Sequence, residues 1–331
     1  MHELQFLILT VIMLALLFDF INGFHDTANA IATSVSTRAI KPAHAIIMAA
    51  VLNFLGAIYS TGVAKTIGGD IVASAEMVDE HIIIAALMGS VVWNLFTWYV
   101  AMPSSSSHAL VGGIIGAVLV STGSTGLNFI GIGKIVLSLI ASPLLAIFSG
   151  FIVMTVLFLL FGRFAPSALN GRFKKMQILS AAAMAFSHGS NDAQKSMGII
   201  TLALLSGGYL SSFEVPDYVK FLCAAAMACG TALGGWRIIR TIGGKIFKLE
   251  PISGFAADLN SSIVIFSATL LHLPVSTTHV VSGSIMGVGT AKRIRAVRWG
   301  VAQQMLVAWV LTIPCTAVMG ALAYQIVLWI F

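Results

Sequence analysis

Gly23-Phe24-His25-Asp26-Thr27-Ala28-Asn29 and Gly189-Ser190-Asn191-Asp192-Ala193-Gln194-Lys195 run in one frame at an offset of 166 (189 − 23). A second pair follows at an offset of 171 (274 − 103): Pro103-Ser104-Ser105-Ser106-Ser107-His108 and Pro274-Val275-Ser276-Thr277-Thr278-His279. Gly112-Gly113 and Gly283-Ser284 keep that second offset, and Ile67-Gly68-Gly69 is echoed by Ile242-Gly243-Gly244. The chain therefore reads as two copies of one unit: residues 1–162, a basic linker at 163–176, and residues 177–331.

The sequence around these motifs is apolar. Of the 331 residues, 58% are hydrophobic and only 9% charged, against about a quarter charged in soluble domains. So few charges cannot cover a water-facing surface, so most of the surface faces lipid. Apolar stretches run over about 4–22, 43–63, 82–101, 105–121, 134–162, 177–208, 219–236, 253–271, 275–290 and 299–331. Period-two alternation is absent, and a backbone in lipid must satisfy its own hydrogen bonds, which predicts helices. Segment 23–41, GFHDTANAIATSVSTRAIK, is too polar for an ordinary span and too apolar for a water loop. It is expected to form a re-entrant hairpin or the second part of a broken first helix, a backbone tolerated only where protein or water surrounds it.

Orientation follows from the basic residues. Arg38/Lys41, Arg163/Arg172/Lys174/Lys175, Arg237/Arg240/Lys245/Lys248 and Lys292/Arg293/Arg295/Arg298 alternate with the acidic loops Glu76/Asp79/Glu80 and Glu214/Asp217. Ten spans, five per repeat, put all four basic clusters on one side, which the positive-inside rule makes cytoplasmic, with both termini outside. The same clustering rejects nucleic-acid binding as the meaning of the +6 net charge. An odd number of spans per repeat inserts the second copy upside down. Inverted repeats with interrupted helices bind substrate and ions near the midplane at their interface. The fold expected is thus an all-α polytopic membrane protein built from two inverted five-span halves. Cys223, Cys229 and Cys315 form no CxxC pair and suggest neither disulfide nor zinc. The N-terminus lacks the early Lys or Arg of a signal peptide.

Asp26 and Asp192 lie in apolar sequence at equivalent repeat positions. A charge there needs a cation, a proton or a salt-bridge partner. An ion pair with Lys195 would serve Asp192, but no basic residue is near Asp26 in sequence. Recurrence in both repeats points to a coupling-ion site, with Asn29, Asn191 and Gln194 offering amide groups. In the Ser/Thr strings, a proline and hydroxyls before an apolar run mark helix N-termini, whose free N–H groups and dipole attract anions. Ser105, Ser106, Ser107, Ser276, Thr277 and Thr278 would add hydroxyl donors. Two such ends meeting at the midplane suit a small tetrahedral oxyanion, whereas simple capping would explain any one serine. His25, His188, His108 and His279 could relay protons or serve as packing. Asp19 and Asp258 are embedded acids without acidic partners at the repeat offset, and Trp93, Trp98 and Tyr99 suit interfaces or packing.

At Gly23 through Ala30, Phe186 through Asp192, Pro103 through His108 and Pro274 through His279 the sequence resembles the inorganic phosphate transporter (PiT) family. The match covers nearly the whole chain. The resemblance implies an inverted-repeat phosphate symporter in the cell membrane, commonly a homodimer, with coupling ions at the Asp motifs and phosphate at the Ser/Thr strings. On that reading His25, Asp26, Asn29, Asn191 and Asp192 serve the ion. Ser105–Ser107, Ser276–Thr278, Gln194 and Lys195 serve phosphate. His25 stands where sodium-coupled members commonly carry a neutral amide. The first motif therefore looks like bacterial low-affinity, proton-coupled carriers, which are thought to take divalent-metal phosphate complexes. Sodium coupling is the alternative, and the reading includes no cofactor beyond the coupling cation. Transport rather than catalysis is expected. An intramembrane aspartyl protease with an Asp26–Asp192 dyad is a distant alternative. Its GxGD signature does not occur, and it gives no reason for two Ser/Thr strings.

Overall fold

The structure is a computed structural model that describes residues 2–234 and 236–330, without the side chains of residues 2, 3, 27, 28, 166–168, 236–238 and 240. The end residues Met1 and Phe331, on which the expectation for the termini rests, and the side chains of Arg237 and Arg240 lie outside the described residues.

The described residues form helices α1 (His2–Ser36), α2 (Pro42–Ala57), α3 (Gly62–Gly69), α4 (Glu80–Tyr99), α5 (Ser106–Ser121), α6 (Phe129–Phe161), α7 (Pro166–Ser206), α8 (Asp217–Leu233), α9 (Trp236–Gly244), α10 (Pro251–Leu270), α11 (Thr277–Lys292) and α12 (Trp299–Ile330). Their starts follow local chemistry. Pro42, Pro166 and Pro251 occupy first-turn positions, where a missing N–H is harmless. Asp79, Ser105, Asn128 and Ser276 cap α4, α5, α6 and α11 through their side chains. The expected all-α membrane architecture is what is found. Leu4–Ser36, Glu80–Tyr99, Phe129–Phe161 and Trp299–Ile330 are long and apolar enough to cross a bilayer.

Segment 23–41 departs from both forms expected of it. It is neither a hairpin nor the far side of a break, because α1 runs on without interruption to Ser36. No Gly or Pro follows Gly23 in this helix. Its polar side chains do not need to leave the helix, because His25, Asp26, Asn29, Thr33 and Ser34 are all buried in protein. The breaks lie elsewhere. The pair α2 and α3 bends by 71°. The stretches 105–121 and 275–290 are not full spans but 16-residue helices, about 24 Å long. The basic segment 163–176 is mostly helical, with Arg172, Lys174 and Lys175 on the early turns of α7.

Helices α2 to α6 have 16, 8, 20, 16 and 33 residues, and α8 to α12 have 17, 9, 20, 16 and 32. Pro143 inside α6 and Pro314 inside α12 also keep the offset of 171 (314 − 143). Packing is reciprocal: α1 lies on α8 and α2 on α7, α6 lies on α11 and α12 on α5. Glycine sets how closely the first two pairs cross. A Cβ on Gly23 would come within 2.3 Å of the Met227 carbonyl on α8, and one on Gly189 within 2.1 Å of the Asn53 carbonyl on α2. Small residues that let backbones touch are the usual means of packing helices in lipid.

Two hairpins position the site. The start of α4 and the end of α5 share one base, where Ala73 N–H donates to Gly126 and Asn128 N–H to Ile71. Glu250 and Lys292, 2.8 Å apart, join the start of α10 to the end of α11. The first base lies near the N-terminal end of α1, since Glu80 and Ile8 both face Gly207. The second lies near its C-terminal end, where Ser36 donates to the Gly243 carbonyl. The hairpins thus approach from opposite ends of α1. Their tips turn through left-handed residues, Ala101 (φ 55) and His272 (φ 58), a strained choice for non-glycine residues. Each tip is held by a short helix of the other half. Thr66 of α3 donates to the His272 carbonyl (2.7 Å), and Thr241 of α9 to that of Ala101 (3.5 Å).

Candidate functional site

The tips meet beside the middle of α1 and α7. Ser107 Oγ donates to the Val275 carbonyl at 2.9 Å, and the His108 and His279 rings stand 4.5 Å apart. Ser105 and Ser276 are spent as caps, accepting from the N–H groups of His108 and His279. The first-turn N–H groups of Ser106, Ser107, Thr277 and Thr278 have no carbonyl of their own helix to bond. They gather at the junction with their hydroxyls, in a setting where an anion is favoured.

The two carboxylates face this junction. Asp26 Oδ1 lies 2.7 Å from His25 Nδ1 and accepts from Thr278 at 3.2 Å, while Oδ2 accepts from Ser106 at 3.2 Å. Asp192 Oδ2 accepts from Thr277 at 3.0 Å, and Oδ1 lies 2.5 Å from Lys195 Nζ. His188 Nε2 is 3.3 Å from Asp192 Oδ2. All of these groups are buried. Asp26, His188 and Asp192 bring three ligand atoms within 4.8 Å of one another, close enough to share a cation. Asn29 Nδ2 donates to Thr278 at 2.9 Å, while its buried Oδ1 has no partner among the described residues. That oxygen is a free neutral ligand at the edge of the cluster.

Of the residues singled out from sequence, Asp26, Asp192, Asn29, Lys195, His25, Ser106, Ser107, Thr277 and Thr278 come together here, with Ser105 and Ser276 one residue behind. Two amides turn elsewhere. Gln194 Oε1 caps α3, accepting from Val63 N (2.7 Å) and Ala64 N (3.2 Å). Asn191 braces the second tip through Thr269, Leu273 and Val275. His25 does the same for the first tip, with Nε2 3.3 Å from Thr97, which in turn takes Ser104. His25 thus combines the bracing role of its repeat equivalent with a contact to Asp26.

Sequence reasoning missed Asn22, Thr97 and Thr269. Asn22 Oδ1 accepts from Ser106 at 2.8 Å. It was findable, because it lies one helical turn before Asp26 and matches His188 at the offset of 166 (188 − 22). Thr97 and Thr269 are ordinary helix threonines in sequence, and only the tip contacts distinguish them. The other embedded acids lie away from the junction along α1. Asp19 is held by Ser196 at 2.7 Å, and Asp258 by Thr33.

Comparison with known proteins adds a family. The profile described as the phosphate transporter family matches residues 22–172 and 163–320. The chain is 51% identical over the full length of both to a protein of Bacillus subtilis strain 168 named "probable low-affinity inorganic phosphate transporter". It is 46% identical to a Rhizobium meliloti protein of the same name, covering 96% of each chain. A solved structure titled "The sodium-dependent phosphate transporter" superposes with a TM-score of 0.91 at 26% identity, covering 98% of this chain and all of that one.

Proposed function

The chain belongs to the phosphate transporter family, and from that premise we propose that it is a symporter in which one phosphate and a coupling cation meet at the junction of the two hairpin tips. Phosphate sits against the α5 and α11 N-termini, hydrogen-bonded by Ser106, Ser107, Thr277, Thr278 and the N–H groups of those turns. The cation neutralises Asp26. One observation carries this reading: Asp26 accepts hydroxyls from both tips, Ser106 on α5 and Thr278 on α11. Neutralising that carboxylate loosens its hold on both hydroxyls, so that Thr278 is free to donate to an anion and Ser106 has only its bond to Asn22 Oδ1 to exchange for one. Cation and phosphate then each strengthen the binding of the other, by the same factor in both directions.

The repeat arrangement belongs to the same proposal. Residues 1–162 and 177–331 are read as an inverted pair joined through 163–176, supported by the matched helix lengths and by hairpins entering from opposite ends of α1. The basic clusters then face the cytoplasm, both termini lie outside the cell membrane, and the carrier works as a homodimer.

The coupling ion is read as the proton, because His25, an imidazole whose Nδ1 lies 2.7 Å from Asp26 Oδ1, stands where sodium-coupled members commonly carry a neutral amide. Sodium is the second reading, favoured by the free Asn29 Oδ1. The Asp26, His188 and Asp192 cluster further suits the metal of a divalent-metal phosphate complex as cargo. The deciding experiment is labelled-phosphate uptake into proteoliposomes with an imposed proton or sodium gradient. Uptake in sodium-free vesicles that a protonophore abolishes is expected. Uptake that needs sodium and ignores the protonophore overturns the proton reading, and absence of saturable phosphate uptake under any gradient overturns symport.

A further inference from the structure

The two repeats differ in charge at one position of their central motif. Asn29 in the first repeat corresponds to Lys195 in the second (195 − 29 = 166). Both side chains are fully buried. Asn29 is neutral and turns its N–H groups to Thr277 and Thr278. Lys195 is a compact point charge on a flexible stem, and its ammonium lies 2.5 Å from Asp192 Oδ1. Thr277 holds the other oxygen, Oδ2. The ammonium and the tip hydroxyl therefore sit on different oxygens of the carboxylate. Ser196, the next residue, is tied to Asp19 at 2.7 Å, which anchors this turn of α7 against α1.

We propose that Lys195 is a tethered counter-cation that replaces one mobile coupling cation, so that a single free cation, taken up at Asp26, accompanies each phosphate. This rests on the symport reading above. The charges support it. Asp26, Asp192 and Lys195 together leave one negative charge at the junction, and one mobile cation cancels it before the anion arrives. With a neutral residue at both repeat positions, two carboxylates would face the anion and two mobile cations would be needed. Lys195 thus sets stoichiometry by neutralising Asp192, and does not itself bind phosphate. The consequence is a lower number of ions spent per phosphate, and hence weaker accumulation for a given gradient.

The test uses the purified full chain in proteoliposomes and compares it with Lys195→Asn, which copies the first-repeat residue, and with Lys195→Arg. Phosphate binding is measured as cation concentration varies, and charge moved per phosphate is read from the voltage that stops net flux. Lys195→Asn is expected to raise the apparent order in free cation from about one to about two and to add one charge per phosphate. Lys195→Arg is expected to change neither. If Lys195→Asn does not fold, Lys195→Gln replaces it, with the same rise in order and charge expected. A folded Lys195→Asn with unchanged order and charge overturns the proposal. So does one that has lost phosphate binding at every cation concentration, which would make Lys195 a direct ligand, and so does a folded Lys195→Gln with unchanged order and charge. Wild-type phosphate flux that no cation gradient drives would instead overturn the symport reading beneath it.

Discussion

Thr278 Oγ1 donates to Asp26 Oδ1 at 3.2 Å, joining residues 252 positions apart in sequence. The contact links the carboxylate on α1 to the first turn of α11, so the charge on Asp26 bears on how that turn is held. Asp26→Asn keeps the size of the side chain and removes the charge. Its phosphate uptake is expected to stop, or to continue without responding to the imposed cation gradient. Wild-type accumulation that still follows the gradient would show that Asp26 takes no part in coupling.

Ser106→Leu and Thr277→Leu each put a branched apolar side chain where two helix N-termini converge. Each removes a hydroxyl donor and obstructs the N–H groups beside it. Loss of two hydrogen bonds to a charged group, at about 1.5–3 kcal/mol each, weakens phosphate binding roughly 100-fold or more. Binding to detergent-purified variants checks this, with size-exclusion profiles to confirm that the proteins are folded. Phosphate affinity equal to wild type in both would move the anion site elsewhere.

Asp192→Asn leaves the Lys195 ammonium buried without its partner. Breaking a buried pair from one side costs about 3–5 kcal/mol, whereas removing both charges costs far less. Asp192→Asn is therefore expected to melt well below wild type, and Asp192→Asn/Lys195→Met to recover most of the loss. Thermal denaturation in detergent measures both. Equal melting of the single and double variants would mean that the pair contributes nothing.

Gly23→Val and Gly189→Val test the two close helix crossings. A side chain at either position meets a backbone carbonyl of the neighbouring helix, Met227 or Asn53, and backbone cannot move aside as a flexible side chain does. Overpacking of this kind costs about 1–3 kcal/mol or more. Both variants are expected to aggregate on extraction or to melt early, to similar extents because the crossings correspond. A stable Gly189→Val beside an unstable Gly23→Val would show that the two crossings are not equivalent.

Much of the site was legible because its residues recur as strings at fixed offsets, and few apolar sequences repeat Asp and hydroxyl clusters by accident. Segment 23–41 is harder to read because its polarity, taken as an average, falls between that of a span and that of a loop. The spacing Asp19, Asn22, Asp26, Asn29, Thr33 follows steps of three and four, which is one stripe along one unbroken helix. The bend between α2 and α3 left little trace, since no Gly or Pro precedes Gly62 in the break at 58–61. It is fixed by tertiary contacts: Gln194 caps α3, and Thr66 grips the far hairpin tip. The destination of Gln194 was hidden for the same reason. Within its own motif it looks like a ligand, and only the helix lying opposite reveals it as a cap.

The exchange of partners between α5 and α12 has a consequence for how the protein is made. Helix α5 ends at Ser121 and α12 begins at Trp299, so 178 residues (299 − 121) must be translated before the two can meet. At about 5–20 residues per second, α5 waits roughly 9–36 s in the bilayer with its mating face uncovered. Helix α6 waits in the same way for α11. Membrane insertion and final assembly are thus separate events, and the early helices must be shielded by lipid, chaperone or insertase in the interval. A nascent chain that stops short of Trp299 leaves the first hairpin without α12, so quality control meets an incomplete molecule rather than one working half.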